Sequence, residues 1–243
     1  MASAEALHPD VWRADQLAAP PTPCVPTGWA ALDAVLPGGG WPLGALIELA
    51  VAARQLPWRL VQPALRTGTQ QGLLVLIDLP LQPQLPVWAA QGVDVSHVLR
   101  LQPRNTGEAV WATEQTLQCP QVSVCWLHLA QPSAAALRRL QAAAARARRD
   151  ATRPGAWPAP LVLCSVPAPA APAASAAPLR LHTDAGTDTG LTVWVRKRRG
   201  PPLSAPVWID APQPWAAWLP ATVVPLHRAM ACTPRRRTHH ECR

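Results

Sequence analysis

The sequence predicts an α/β domain: a three-layer sandwich around a mainly parallel sheet, with a late antiparallel hairpin. Three observations carry this reading. Apolar runs recur with turn signals between them, ALIELAV, GLLVLIDLP, SHVLRLQP, QVSVCWLHL, PLVLCSVP, PLRLH and LTVWVR, and near-continuous runs of this kind are strands buried on both faces. Helical stretches fall between several of them, which implies right-handed crossovers onto a parallel sheet. The last two runs are separated only by TDAGTDTG, so they form a hairpin with Leu191, Val193 and Val195 alternating inward.

Taken in chain order, a Pro-rich arm occupies residues 1–26, and the first strand is ALIELAV. A short helix is expected over Pro86 to Gln91, with Gly92 as its C-terminal cap, and a second over Glu108 to Gln118. The clearest helix runs from Ala134 to Arg149 behind Pro132 and Ser133. Leu137, Leu140, Ala144 and Ala147 form its apolar stripe, and Arg138, Arg146 and Arg149 lie off it. Pro167 to Pro178 is low-complexity and reads as an extended loop or linker. Residues 27–202 thus form the domain, and residues 203–243 a basic tail containing Pro and Trp in which weak order is expected.

A chain of 243 residues is long enough for one domain with a buried core and tails. Apolar residues make up 49% of it, yet no run approaches the roughly 18 uninterrupted positions of a membrane span. MASAEALHPDVWRADQ shows no basic-then-apolar layout, so no secretory or transit signal is read and the expected compartment is the cytoplasm. Six scattered cysteines without a CxxC pair fit reduced thiols. The net charge of +8 is uneven: from Leu191 onward nine Lys or Arg face only Asp210 and Glu241. Such a concentration suits an anionic partner, nucleic acid first, and equally a solvated face.

The stretch LPGGGWPLGALIELA, Leu36 to Ala50, raises the question of a nucleotide site. A phosphate-binding loop needs G-x-x-x-x-G-K-[ST] after a strand and before a helix, so that backbone N–H groups cradle the phosphates and Lys meets their oxygens. Here the glycines precede the strand. Behind it AARQLPWRLVQPALRTG offers Arg54 and Arg59 but neither paired glycines nor Lys-Ser/Thr, and Lys197 is the only lysine in the chain. QVSVCWLHL, where a magnesium-bearing Asp is expected, presents His128. Asp78 stands at the end of a different strand.

As an ordered whole, TGWAALDAVLPGGGWPLGALIEL resembles the opening of the RecA-type core, through Thr27-Gly28, Leu32-Asp33, the glycine run, Pro42-x-Gly44 and Ile47-Glu48. LRLHTDAGTDTGLTVWVRKRRGPP is similar to the late hairpin of recombinases, which ends in a basic run and a Pro pair. Within that superfamily the chain more closely resembles the ImuA group, translesion-synthesis-associated proteins also labelled SulA-like. HPDVWRAD, LPGGGWPLGALIEL, ALRRLQAAA and the RKRRG run carry the match, over about Leu7 to Pro202. The resemblance implies a RecA-like fold with a degenerate phosphate loop and a non-catalytic accessory role in damage-induced mutagenesis. The implied partners are an ImuB-like Y-family protein and an error-prone DNA polymerase, with RecA, DNA and self-association as further contacts, and no cofactor. A SulA-like inhibitor of the division GTPase and an atypical ATPase are the alternatives.

Several residues have two readings. Gly38, Gly39 and Gly40 form either a tight turn that seats Trp41 or an interface with Trp41 as anchor. Arg196, Lys197, Arg198 and Arg199 end the last strand as a phosphate contact or as solvated charge; the resemblance adds the basic end that reaches nucleotide across a recombinase interface. Trp208, Trp215 and Trp218 either bury on the body or dock a partner. His227, Cys232, His239, His240 and Cys242 are zinc-ligand types without compact spacing. His128, Ser133 and Asp150 show no catalytic pattern, and Ser133 reads as a helix cap.

Overall fold

The computed structural model describes residues 22–52, 55–147, 149, 155–168, 174–184, 186–187 and 189–210. An eight-stranded sheet has the order β10-β9-β8-β3-β7-β6-β4-β5. Its strands are β3 (Leu46–Val51), β4 (Leu73–Ile77), β5 (Val98–Leu101), β6 (Val122–His128), β7 (Leu161–Pro167), β8 (Leu179–Thr183), β9 (Gly190–Lys197) and β10 (Val207–Asp210). From β8 to β5 every neighbour pair is parallel, whereas β9 runs antiparallel to both β8 and β10. The mixed α/β architecture, the mostly parallel sheet and the late hairpin are those read from the sequence. Among the described residues no helix is long and apolar enough to cross a membrane.

Alternation along the buried strands divides the core in two. Ile47, Leu49, Leu74, Leu76, Trp126 and Leu163 face helix α2 (Trp58–Gln71), while Leu46, Val75, Leu127 and Cys164 face α4 (Thr106–Thr116) and α5 (Ala134–Arg146). Burial on both faces explains why β3, β6 and β7 read as near-continuous apolar runs. Leu191, Val193 and Val195 point inward along β9, as their alternation requires.

The helices follow local chemistry. Ser133 caps α5 by accepting the backbone N–H of Ala136 at 3.1 Å, and Leu137, Leu140 and Ala144 lie on its buried side. The helix stops at Arg146 rather than Arg149. Arg149 instead donates to the carbonyls of Gln71 and Trp157, contacts that take the chain out of the helical path. Asn105 caps α4 through the N–H of Glu108, so that helix begins two residues before its expected start. Helix α3 (Leu85–Ala90) is followed by Gly92 at φ +83°, the left-handed exit foreseen for it. Helix α2 was not read from the sequence because Pro63 lies within it; Leu60, Val61, Ala64, Leu65 and Gly68 nevertheless form one buried stripe.

Strands are found beyond both ends of residues 27–202. Cys24 and Val25 form β1, which pairs antiparallel with β2 (Trp41–Pro42), so the end of the arm is folded against the glycine run. Val207 and Ile209 are buried within β10, so residues placed in a weakly ordered tail complete the sheet. Alternation of only four residues, flanked by prolines, was too short a signal to separate this edge strand from tail.

Candidate interaction site

The parallel strands have two ends, and the features singled out in the sequence divide between them. In open α/β sheets ligands bind outside the carboxyl ends of the strands. At that end β3 passes into α2 through Ala52 to Pro57, a segment with neither glycine nor lysine; Arg54 lies outside the described residues. Arg59 donates to the carbonyl of Thr187 in the hairpin turn. Trp126 Nε1 of β6 donates to Ser165 Oγ of β7 at 2.7 Å. His128 is buried at the end of β6, and its Nδ1 has no hydrogen-bond partner among the described residues. Burial holds the His128 pKa below the usual histidine value, opposed by the charge of Asp78. Asp78 ends β4 at φ +54°, as a polar strand terminus.

The amino ends of the strands are different. A cavity of about 670 Å³ is lined there by Cys24, Gly38, Gly40, Gln141, Arg198 and Arg199 among others, with no carboxylate among its described lining residues. The glycine run is consumed by packing: Gly38 lies at φ +78°, and a Cβ on it would sit 2.6 Å from Cys24 Sγ. A Cβ on Gly40 would sit 2.0 Å from the Val25 carbonyl oxygen. Only glycine admits both that left-handed turn and the close approach of β1. The expected turn is therefore its structural role.

Trp41 is corrected as an interface anchor. It is 0% exposed within the core, so no partner reaches it without unfolding. The turn seats it there, and its Nε1 is buried without an acceptor among the described residues.

The basic run sits at the same end and holds the molecule together. Arg198 is half-buried, donating to the carbonyls of Val35 and, at 3.1 Å, Pro201. Arg199 reaches Thr22 Oγ1 at 3.1 Å, and Lys197 reaches the Ser175 carbonyl at 2.9 Å. Arg196 lies over the Trp194 ring and beside His182. These partners are neutral, and among the described residues none of the four cations forms a salt bridge with a carboxylate. Their donors brace the arm, the turn before the glycine run and the linker. Cys24, beside Arg199, is held above the usual thiol pKa by its burial, so it is a packing residue here rather than a thiolate.

One internal pair escaped the sequence reading. Arg180 of β8 and Glu48 of β3 form a salt bridge at 2.8 Å, with Glu48 only 1% exposed. Glu48 belongs to the Ile47-Glu48 pair quoted above, but only strand pairing brings it opposite Arg180. Burial also pushes the Cys125 thiol up to about 12 and raises Cys164 further, with the Glu48 charge adding to the latter, so both remain thiols. Trp215, Trp218, Asp150 and the His/Cys group from His227 to Cys242 lie outside the described residues. No protein-family model matches the chain, and no curated protein matches it significantly.

Proposed function

We propose that the chain is a non-catalytic, RecA-like accessory protein of damage-induced translesion synthesis, an adaptor for an ImuB-like Y-family protein and an error-prone DNA polymerase. The observation that carries this reading is the fate of the glycine run. Its close contacts are with β1, its preceding carbonyl at Val35 is braced by Arg198, and the β3–α2 segment has no lysine to meet phosphate. The two blocks that resemble recombinases, far apart in sequence, thus meet around one cavity and serve structure. The parallel sheet with β3 near its middle and the hairpin β8–β9 alongside it supports the RecA-like part of the reading.

In this account the uncompensated cations at the hairpin end meet DNA or a recombinase filament, and the segment with Trp215 and Trp218 docks the polymerase assembly. Co-expression with the two partners tests it. The full chain should capture both, and a chain ending at Asp210 should stay folded but capture less. Failure of the full chain to capture either partner would sink the adaptor reading, and filamentous growth on overexpression would favour a division inhibitor instead.

A further inference from the structure

The cavity at the amino ends of the strands opens beside Thr22, the first described residue. Thr22 lines it together with Cys24, Pro42, Leu43, Leu179 and Arg199, and the Thr22 hydroxyl accepts from Arg199 at 3.1 Å. Apolar side chains form much of the wall, and the cations stand on one side. Among the described residues, Arg198 and Arg199 donate to neutral oxygens, those of Val35, Pro201 and Thr22. A guanidinium gains from a carboxylate in addition, because a charge-assisted hydrogen bond is roughly twice as strong as a neutral one. No carboxylate is among the described lining residues.

The sequence that enters this rim has the missing chemistry. Residues 1–21 lie outside the described residues, and they carry Glu5, Asp10 and Asp15 against one arginine, Arg13. In DVWRAD, Asp10 and Asp15 flank the apolar pair Val11 and Trp12. We propose that this segment, Asp10 to Asp15, docks back onto the amino-end cavity of its own chain, with Trp12 in the apolar hollow and the two carboxylates against Arg198 and Arg199. Asp15 stands seven residues before Thr22, a reach of at most about 25 Å, and Thr22 is itself held at Arg199. So short a tether gives an effective concentration on the millimolar scale, which favours the chain's own segment over that of a second copy. The residues after Asp210 are the wrong occupant, since their five arginines face only Glu241. The docked segment covers the cations that an anionic partner of the basic run would meet, so that partner has to displace it.

The contact lies within one chain and is independent of the adaptor reading, which is judged by partner capture. Cys24 lines the cavity and reports its cover. The test is the rate of Cys24 alkylation by N-ethylmaleimide in the full chain carrying Cys119→Ser, Cys232→Ser and Cys242→Ser; the buried Cys125 and Cys164 report any unfolding in the same samples. Trp12→Ala, a change without charge, should speed alkylation several-fold. Asp10→Asn/Asp15→Asn should speed it by roughly 1.5- to 5-fold for each ion pair lost. Added salt should speed the parent chain and leave the Asn chain nearly unchanged, since screening acts on the pairs that the substitutions remove. Trp12→Ala and Asp10→Asn/Asp15→Asn chains alkylated at the parent rate would overturn the proposal. Protection that grows with protein concentration would overturn it as well, assigning the cavity to a second copy, and a parent rate insensitive to salt would remove the pairing with Arg198 and Arg199.

Discussion

The two ends of the parallel strands in this chain gather different kinds of residue. The carboxyl end, where open α/β sheets take ligands, carries a Trp–Ser hydrogen bond, a buried histidine and a β3–α2 segment without glycine or lysine. The amino end gathers a cavity, a glycine turn and a run of cations that have no carboxylate partner among the described residues. Glycine-rich sequence therefore has to be read with its position: before the strand it seats a neighbouring strand, and behind the strand it would cradle phosphate.

The largest effect that would break this comparison is at the shared frame. Glu48→Gln removes the carboxylate of a residue only 1% exposed from its salt bridge with Arg180, and breaking one side of a buried pair costs about 3–5 kcal/mol. Urea unfolding should show that loss; a change below about 1 kcal/mol would mean that the pair does not hold β3 to β8. Ending the chain at Pro202 removes Val207 and Ile209 from the core, a loss of about 3–6 kcal/mol at 1.5–3 per buried side chain. Ending it at Asp210 should leave the melting temperature nearly unchanged.

Smaller effects sharpen the amino end. Gly40→Ala drives a methyl into the Val25 carbonyl and should cost more than Gly39→Ala, where nothing lies within 4 Å and only the φ of +71° is strained, at about 1–2 kcal/mol. Equal costs would show that close packing with β1 is not what the glycines serve. At the carboxyl end, a histidine whose folded pKa is depressed stays neutral while its unfolded counterpart takes a proton. Stability should therefore fall as pH drops below 6.5, the ordinary value, and level off below the folded pKa. His128→Gln should flatten that part of a stability–pH curve, and an unchanged curve would assign the acid limb to other groups. The smallest effect expected is Ser133→Ala, about 1 kcal/mol from the α5 cap.

What the sequence made legible follows from how local each signal is. Apolar runs marked every strand from β3 to β9, because burial on both faces leaves a continuous pattern. Ser133 and Gly92 marked helix ends by their own chemistry. Helix α2 was hidden by Pro63, since a proline in the second turn outweighs an amphipathic stripe in a local reading. β1 and β10 were missed because two and four residues carry too little alternation, and only their partners define them. For the candidate site, the basic run and the glycine turn were visible, but their meeting through Arg198 and Val35 was not, because no local pattern encodes a contact between residues so far apart. The buried position of Trp41 corrects a reading that residue type alone had left open. The outer face of the hairpin was present as the polar phase of a period-two pattern, His182 on one strand and Trp194 and Arg196 on the next, and register was needed to align them.

The adaptor reading meets its most direct test in a strain deleted for this chain and exposed to DNA damage. Complementation with the full chain should restore damage-induced mutagenesis, and a Lys197→Ala/Arg198→Ala/Arg199→Ala chain should restore it incompletely. Wild-type mutagenesis in the deletion strain itself would contradict the account.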